Sequence, residues 1–246
     1  MRNRWIKHDS LPSTNSYISD RLRHEALDEG TVVIADYQDA GRGLGEHSWV
    51  SNRGENLLMS LLLFPAFLSA SRQFYLSRVA SLALCDALET LGLAASIKWP
   101  NDILTGKGKI AGILIEHGIT GKSISHSMVG LGLNLNQTVF PGFPVPATSL
   151  ALESGRQVDV TEVGELVESS LMKRYQELKD GAFQSLEKGY MEKLFKAGVP
   201  TLFKEGNELF EGSIRGVNDF GELLVERKGD LRSSGHGSIN MELNFA

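Results

Sequence analysis

Apolar residues in the first quarter of the chain occur either at helical spacing or in short, mostly apolar runs. After the polar run at residues 13–16, apolar side chains recur every four residues, which predicts a capped helix that ends at Gly30. The apolar run at 32–35 and the mostly apolar run at 56–63 predict two buried strands. Helix and strand therefore succeed one another over short distances, as in a layered domain of both elements.

Longer stretches with a single apolar stripe predict three further helices. They run from Ser69 or Ser71 to Leu91, over about 160–178, and over about 183–196. From Val199 onward the pattern changes to short strands separated by turns rich in glycine, asparagine and aspartate, which indicates a small antiparallel β-domain. We therefore predict a first domain over 1–197 and a second over 198–246.

The segment from Lys98 to Glu116 contains the most informative pattern in the chain. Pro100 fixes its own φ and disfavours helix at the residue before it, while Asn101 and Asp102 close turns on their own backbone. A short apolar step and a hairpin tip of glycine and lysine then lead into a new strand. These features predict a rigid corner that holds a carboxamide and a carboxylate beside a strand end.

Alternation along the new strand sets the direction of Lys109. A strict period of two places Lys109 on the same face as Ala111, Ile113 and Ile115, and Gly112 on the opposite face. For a lysine considered alone, a solvated position on a polar hairpin is the more common outcome. The other patterns of the chain favour a functional Lys109 instead.

A second informative strand covers residues 128–136. Valine and leucine alternate there with Gly130, Gly132, Asn134 and Asn136, so one face is apolar and the other is bare backbone that ends in two carboxamides. Glycines inside a strand mark either a bulge or a surface that another group approaches closely. We favour a floor under a ligand over a simple bulge.

The loop at 36–45 contains three glycines, with Arg42 between two of them. Glycine lets a backbone approach a ligand, and an arginine in such a loop can reach an anion. The spacing matches neither a Walker loop nor a dinucleotide loop, and no helix follows directly. An ordinary mobile loop is the alternative for this segment.

Composition narrows the class of protein. The 246 residues are 41% apolar and 22% charged, which is typical of a folded globular protein. The formal net charge of -5 and the lack of long basic runs argue against nucleic-acid binding through a basic field. The single cysteine, Cys85, cannot form an internal disulfide, and no run approaches the ~20 apolar residues of a membrane span. We therefore expect a cytoplasmic protein in which Cys85 is a buried structural thiol.

Several segments, taken in order, resemble the biotin protein ligases. They are Ser13-Thr14-Asn15, Gln38, Ala40-Gly41-Arg42-Gly43, Trp49, Lys98-Trp99-Pro100-Asn101-Asp102, Lys109-Ile110-Ala111-Gly112 and Gly130-Leu131-Gly132-Leu133-Asn134. The resemblance covers nearly the whole chain. It implies an α+β fold with a mixed sheet flanked by helices, related to class II synthetase catalytic domains, and a small C-terminal antiparallel β-barrel.

The resemblance also implies a reaction in two steps. ATP and biotin give enzyme-held biotinyl-AMP and pyrophosphate, and a lysine of a biotin carboxyl carrier protein domain then takes the biotinyl group. Joining a carboxylate to a phosphate brings anions together, so cations are needed to stabilise the charge of the transferring group. Biotin's ureido ring instead needs neutral donors and acceptors.

Residue roles follow from the matched positions. Lys109 and Arg42 are the implied catalytic residues. The implied biotin-binding residues are Ser13, Thr14, Asn15, Gln38, Gly41, Arg42, Lys109 and Gly112. The implied ATP-binding residues are Arg42, Trp49, Asn101, Asp102, Lys109 and Asn134, with Asp102 as a candidate ligand of Mg²⁺.

Two departures and two alternatives accompany this interpretation. Leu44 and Gly45 stand where many members of the family carry further arginines. The chain also begins too close to the catalytic pattern for an N-terminal DNA-binding domain, and we therefore expect no DNA partner. The family implies that sheet edges can form a homodimer. The alternative functions are a lipoate or octanoate ligase or transferase of the same superfold, and a non-catalytic ligand-binding protein.

Overall fold

A seven-stranded sheet forms the larger layer of the computed structural model, which describes residues 4–242. The strands are β1 (Trp5–His8), β2 (Val32–Ala35), β3 (Leu57–Leu63), β4 (Ser96–Lys98), β5 (Asp102–Thr105), β6 (Gly108–Thr120) and β7 (Ser123–Leu133). Their order is β1-β2-β3-β7-β6-β5-β4; β1 and β2 pair in parallel, and the other neighbours pair antiparallel. The predicted mixed sheet is confirmed.

Within residues 4–242, five α-helices flank this sheet. They are α1 (Thr14–Arg21), α2 (Phe74–Thr90), α3 (Leu150–Ser154), α4 (Val160–Lys179) and α5 (Phe183–Lys193), and a 3-10 turn at Ala70–Arg72 precedes α2. None of the helices within residues 4–242 has an apolar segment long enough to cross a membrane. The structure confirms the predicted starts of helices α2, α4 and α5 to within a few residues.

Helix α1 is shorter than the spacing predicts. Ser13 caps it by accepting a hydrogen bond from the Ser16 amide, as expected, but the helix ends at Arg21 and does not continue to Gly30. Residues 23–26 are exposed, so a further turn has no apolar face to bury. Because most helical stability in proteins comes from packing, the spacing alone does not extend the helix.

Strand β3 is buried along its whole length because helices cover both faces of the sheet. Leu57, Met59 and Leu61 belong to the main core beneath α2 and α4, whereas Leu62 belongs to a smaller cluster beneath α1. Cys85 is fully buried in α2, and burial raises the pKa of its thiol to about 12. The expectation of a buried structural thiol is confirmed.

The C-terminal segment forms a second, five-stranded sheet. Its strands are β8 (Thr201–Glu205), β9 (Glu208–Val217), β10 (Leu223–Arg227), β11 (Asp230–Ser234) and β12 (Asn240–Met241), in the order β11-β10-β9-β8-β12. All neighbours pair antiparallel, which confirms the predicted C-terminal β-domain. Within the described residues β11 and β12 are the two edges of this sheet. We propose the predicted domain boundary between residues 197 and 198. The first domain begins, and the second ends, outside the described residues.

The turn at 218–221, between β9 and β10, contacts the first domain on two sides. Arg78 of α2 is only 2% exposed, and its Nη2 donates to the carbonyls of Val217 at 2.7 Å and Asn218 at 3.3 Å. On the other side, Trp99 Nε1 donates to the carbonyl of Gly221 at 2.9 Å. The position of the C-terminal domain therefore depends on a buried arginine and on the tryptophan of the predicted corner.

We expect Arg78→Ala to lower the free energy of unfolding by roughly 2–4 kcal/mol, because it removes charged hydrogen bonds and buried packing. Urea unfolding of the whole chain measures this loss. Arg72→Ala is the matched control: Arg72 also contacts this turn, through a half-exposed pair with Asp219 at 3.3 Å, and such pairs contribute about 0–1 kcal/mol. Equal losses in the two variants would show that Arg78 does not anchor the turn.

Candidate active site

A cavity of about 670 Å³ lies where the two sheets meet. Every predicted site residue except Gly41 lines it: Ser13, Thr14, Asn15, Gln38, Arg42, Trp49, Asn101, Asp102, Lys109, Gly112 and Asn134. Gly41 lies behind the wall, where its carbonyl accepts a hydrogen bond from the Trp49 amide at 2.9 Å. The fold therefore brings together residues that are far apart in sequence.

Lys109 faces the cavity because β6 contains a bulge. Two successive residues of β5 pair with Lys109 and with Ala111, so Ile110 is an extra residue in β6. Ile110 and Ala111 are both fully buried, and a Cβ built on Gly112 would lie 3.5 Å from Lys109 Cε. The prediction that Lys109 shares a face with Ala111 is wrong, because the extra residue reverses the alternation and places Lys109 beside Gly112.

Asp102 is the counter-ion of two lysines. Its carboxylate oxygens lie 2.6 Å from Lys109 Nζ and 3.6 Å from Lys98 Nζ. Asn101, the preceding residue, holds β6 by donating from Nδ2 to the Ile113 carbonyl at 2.9 Å. The predicted corner therefore does what its residue types indicate: it fixes a carboxylate and a carboxamide beside the end of a strand.

Magnesium was expected at Asp102, and the donor set there does not fit a resident metal ion. Both oxygens of Asp102 already face ammonium groups. Within residues 4–242, no group of three or more histidine, cysteine, aspartate or glutamate side chains could hold a metal. Asp102 as a direct ligand of Mg²⁺ stays a prediction that this geometry does not favour.

Protein side chains cover the bare backbone of β6 and β7. A Cβ built on Gly132 would lie 2.3 Å from Trp49 Cε2, and one built on Gly112 would lie 2.9 Å from Trp49 Cζ3. A Cβ on Gly130 would lie 2.7 Å from Asn15 Oδ1. The register of β7 is continuous through these glycines, so they are not a bulge. In this structure the glycine floor carries an indole and a carboxamide.

Trp49 is well placed to respond to a ligand. Its Nε1 is buried without a hydrogen-bond partner among the described residues, and Lys109 Nζ lies 5.6 Å from the centre of its ring. The loop that carries it also places Leu44 in the cavity wall. The loop thus contributes apolar cover as well as the charge of Arg42.

Glu116 of β6 holds the guanidinium of Arg42, and the sequence patterns did not single it out. Arg42 Nη1 and Nη2 donate to the two carboxylate oxygens at 2.9 and 2.7 Å, and Nη2 also lies 3.3 Å from Ser16 Oγ. Glu116 follows Gly112 by four residues, so the period of two places both on one face of β6. That pattern was available in the sequence and could have identified Glu116.

A chain of hydrogen bonds connects this ion pair to Thr14 and Gln38. Thr14 donates from its amide to Gln38 Oε1 at 2.7 Å, and Thr14 Oγ1 lies 2.6 Å from Ser60 Oγ. Ser60 Oγ also lies 2.6 Å from Asn15 Oδ1, and Asn15 Nδ2 donates to Glu116 Oε2 at 2.8 Å. Ser60 was also missed, although it is the single polar residue in the apolar run of β3.

Asn134 closes the far wall with one unused acceptor. Its side chain is 3% exposed and donates from Nδ2 to the Thr148 carbonyl at 2.9 Å, while Oδ1 has no partner among the described residues. The C-terminal domain completes this wall with residues that no local pattern indicated, among them Phe203, Leu223, His236 and Ile239. His236 lies against Trp99, with ring centres 6.3 Å apart.

A cavity with neutral hydrogen-bonding groups near Thr14 and Gln38 and with cations at Arg42 and Lys109 defines a site for a small, anionic ligand. Residues 8–134 match the model of the biotin/lipoate A/B protein ligase family. The chain belongs to this family.

Relatives and solved structures agree with this assignment. The chain is 32% identical over 225 residues to the bifunctional ligase/repressor BirA of Bacillus subtilis, covering 90% of this chain and 69% of the relative. It is 34% identical over 226 residues to the biotin–acetyl-CoA-carboxylase ligase of Paracoccus denitrificans, covering 87% and 92%. The structure of biotin protein ligase from Aquifex aeolicus in complex with biotin and ATP superposes with a TM-score of 0.80 at 26% identity, covering 98% and 99% of the two chains.

We expect Gly132→Ala to displace Trp49, because the added methyl group would lie far inside contact distance of the indole. Quenching of tryptophan emission by iodide should increase, and the increase should vanish when Trp49→Phe is added. Gly142→Ala is the control, since a Cβ there meets nothing within 4 Å. Unchanged quenching together with a lower melting temperature would mean that the strand moves and the indole does not.

Proposed function

We propose that this chain is an ATP-dependent biotin protein ligase, which makes biotinyl-5'-AMP and transfers the biotinyl group to a lysine of a biotin carboxyl carrier protein domain. The observation that carries the proposal is the convergence of Thr14, Gln38, Arg42 and Lys109 on one cavity in a member of this family. The Aquifex aeolicus structure contains biotin and ATP, and the Paracoccus denitrificans relative is named for acetyl-CoA carboxylase, which supports both substrates and the acceptor.

The first step joins the biotin carboxylate to the α-phosphorus of ATP. A carboxylate oxygen attacks phosphorus, the bond to the β-phosphate oxygen breaks, and pyrophosphate leaves. We assign Arg42 and Lys109 to the negative charge on the transferring group, where fixed cations stabilise the transition state most. Before ATP arrives, Glu116 holds Arg42 and Asp102 holds Lys109.

The second step transfers the acyl group. The unprotonated amine of the acceptor lysine attacks the carboxyl carbon, the bond to the AMP oxygen breaks, and the nitrogen loses a proton as the amide forms. Magnesium is expected to accompany ATP and to neutralise its phosphates. Because the described side chains do not form a metal cage, the chain's own contribution is the pair of cations.

The remaining roles follow the two ends of the cavity. We assign Ser13, Thr14, Asn15, Gln38 and the Gly112 backbone to the ureido end. We assign Trp49, Asn101, Asp102 and Asn134 to the nucleotide end, where Asn134 Oδ1 offers an acceptor without a partner. We place Gly41 in support of the loop, because it lies behind the cavity wall.

We also propose a cytoplasmic protein and a homodimer formed edge to edge. The single cysteine is buried and reduced, which suits a reducing compartment. Strand β6 pairs with β5 only as far as Gly112, so within the described residues its outer edge carries no strand from Leu114 to Thr120. An unpaired edge of this kind can pair with a second copy.

One experiment separates the proposal from its alternatives. The protein is incubated with ATP, an apo carrier domain, and either biotin or lipoate, and the carrier mass is followed. An increment of one biotinyl group that requires ATP supports the proposal. A lipoyl increment would identify a lipoate ligase, and no increment with either acid would leave a ligand-binding protein.

Lys109→Ala should nearly abolish formation of biotinyl-AMP while the fold stays intact, since removing one preorganised charge from the transition state costs ~3–4 kcal/mol. Pyrophosphate release measures the effect. Lys107→Ala is the matched control: its Nζ donates to the Leu152 carbonyl at 2.6 Å at an exposed position away from the cavity. Equal losses in the two variants would refute the assignment of Lys109.

A further inference from the structure

The hydrogen bonds from Gln38 to Arg42 form one continuous path through two residues that do not line the cavity. The path runs through Thr14, Ser60, Asn15 and Glu116. Ser60 is fully buried, and neither it nor Glu116 is among the cavity-lining residues. A path of short contacts that joins two cavity-lining side chains can transmit ligand binding at one of them to the other.

We propose that Ser60 and Glu116 are positioning residues that couple biotin binding at Thr14 to the orientation of Arg42 for the nucleotide. The inference rests on the proposed function, because it assigns Thr14 to biotin and Arg42 to ATP. Neither residue touches a substrate. They act through Asn15, which lies between them.

Ser60 is the branch point of the path because it has one proton and two acceptors. Its Oγ lies 2.6 Å from Thr14 Oγ1 and 2.6 Å from Asn15 Oδ1, and a hydroxyl can donate to only one of them at a time. When Ser60 donates to Thr14, Thr14 donates onward to Gln38 Oε1 at 3.2 Å, and Asn15 Oδ1 receives no hydrogen from Ser60. When Ser60 donates to Asn15, Thr14 Oγ1 is free to accept from a ligand.

A ureido N–H therefore selects between the two arrangements. If the ligand donates to Thr14 Oγ1, it replaces the hydrogen that Ser60 supplied, and the Ser60 proton turns to Asn15 Oδ1. Asn15 is then fixed at both ends, since its Nδ2 already donates to the Leu114 carbonyl at 3.2 Å and to Glu116. Occupation of the ureido end thus immobilises the carboxamide that supports Glu116.

Glu116 passes this order to Arg42. Its Oε2 accepts both from Asn15 Nδ2 at 2.8 Å and from Arg42 Nη2 at 2.7 Å, while Oε1 accepts from Nη1 at 2.9 Å. Two parallel hydrogen bonds fix the plane of a guanidinium more firmly than a single contact does. With both terminal nitrogens engaged, Nε of Arg42 has no protein partner among the residues described and is available to an anion.

The test is the effect of biotin on nucleotide affinity. Titration calorimetry with α,β-methylene ATP, which cannot release pyrophosphate, gives the Kd of the nucleotide with and without saturating biotin. In the unaltered protein we expect biotin to lower this Kd about 5-fold or more, which is within the usual range of coupling between sites. Ser60→Ala and Glu116→Gln should each reduce the factor to less than about 2-fold while both ligands still bind separately.

Ser127→Ala is the control, because Ser127 is equally buried in the same sheet but pairs with His117 at 2.8 Å. It should keep the full coupling. Full coupling in both Ser60→Ala and Glu116→Gln would overturn the relay, and so would an absence of coupling in the unaltered protein. Because Glu116 is partly exposed, Glu116→Gln decides the question where Ser60→Ala fails to fold. Failure of biotin to bind the unaltered protein would instead contradict the proposed function.

Discussion

Two cations inside a partly buried cavity need counter-ions before any substrate arrives, and the chain supplies both. Asp102 neutralises Lys109 from the first position of β5, and Glu116 neutralises Arg42 from the far part of β6. Burying an unpaired charge is costly, so a carboxylate partner stabilises each cation before a substrate anion is present. The arrangement of the site follows from this requirement, because both carboxylates lie on the corner-and-strand segment around which the cavity is built.

The two cations are held in different ways, and the difference suits different tasks. Lys109 lies on a strand whose bulge and neighbouring corner fix its direction, so it is part of the rigid frame. Arg42 lies on a glycine-containing loop that also carries Leu44 and Trp49, and it reaches across to Glu116. A loop held mainly by an ion pair and by an indole on bare backbone can open for a ligand at small energetic cost.

Most elements and most site residues can be predicted from the sequence, and each incorrect prediction has a physical cause. The patterns alone predicted the buried strands, the long helices and the change to a β-domain, because each depends on local periodicity. Residue roles at Thr14, Gln38 and Asn134 came from the family resemblance and not from spacing. The direction of Lys109 was wrong because strict alternation does not anticipate a bulge at Ile110, and α1 was too long because residues 23–26 have nothing to pack against.

The missed residues divide into two kinds. Ser60 and Glu116 carried signals, one as the lone polar residue of an apolar strand and the other at even spacing from Gly112. Phe203, Leu223 and His236 carried none, because they reach the cavity only through the packing of the C-terminal domain on α2 and Trp99. Contacts between domains depend on tertiary structure and have no local pattern.

The most direct test of this account is to look for the intermediate itself. The protein is mixed with biotin, ATP and Mg²⁺ in the absence of any carrier, separated from free ligands, and denatured in acid, and the released small molecules are identified by mass spectrometry. The account predicts close to one biotinyl-AMP per chain, together with stoichiometric pyrophosphate. Recovery of unchanged biotin and ATP, or of a lipoyl adenylate in a parallel sample with lipoate and no biotinyl adenylate, would contradict it.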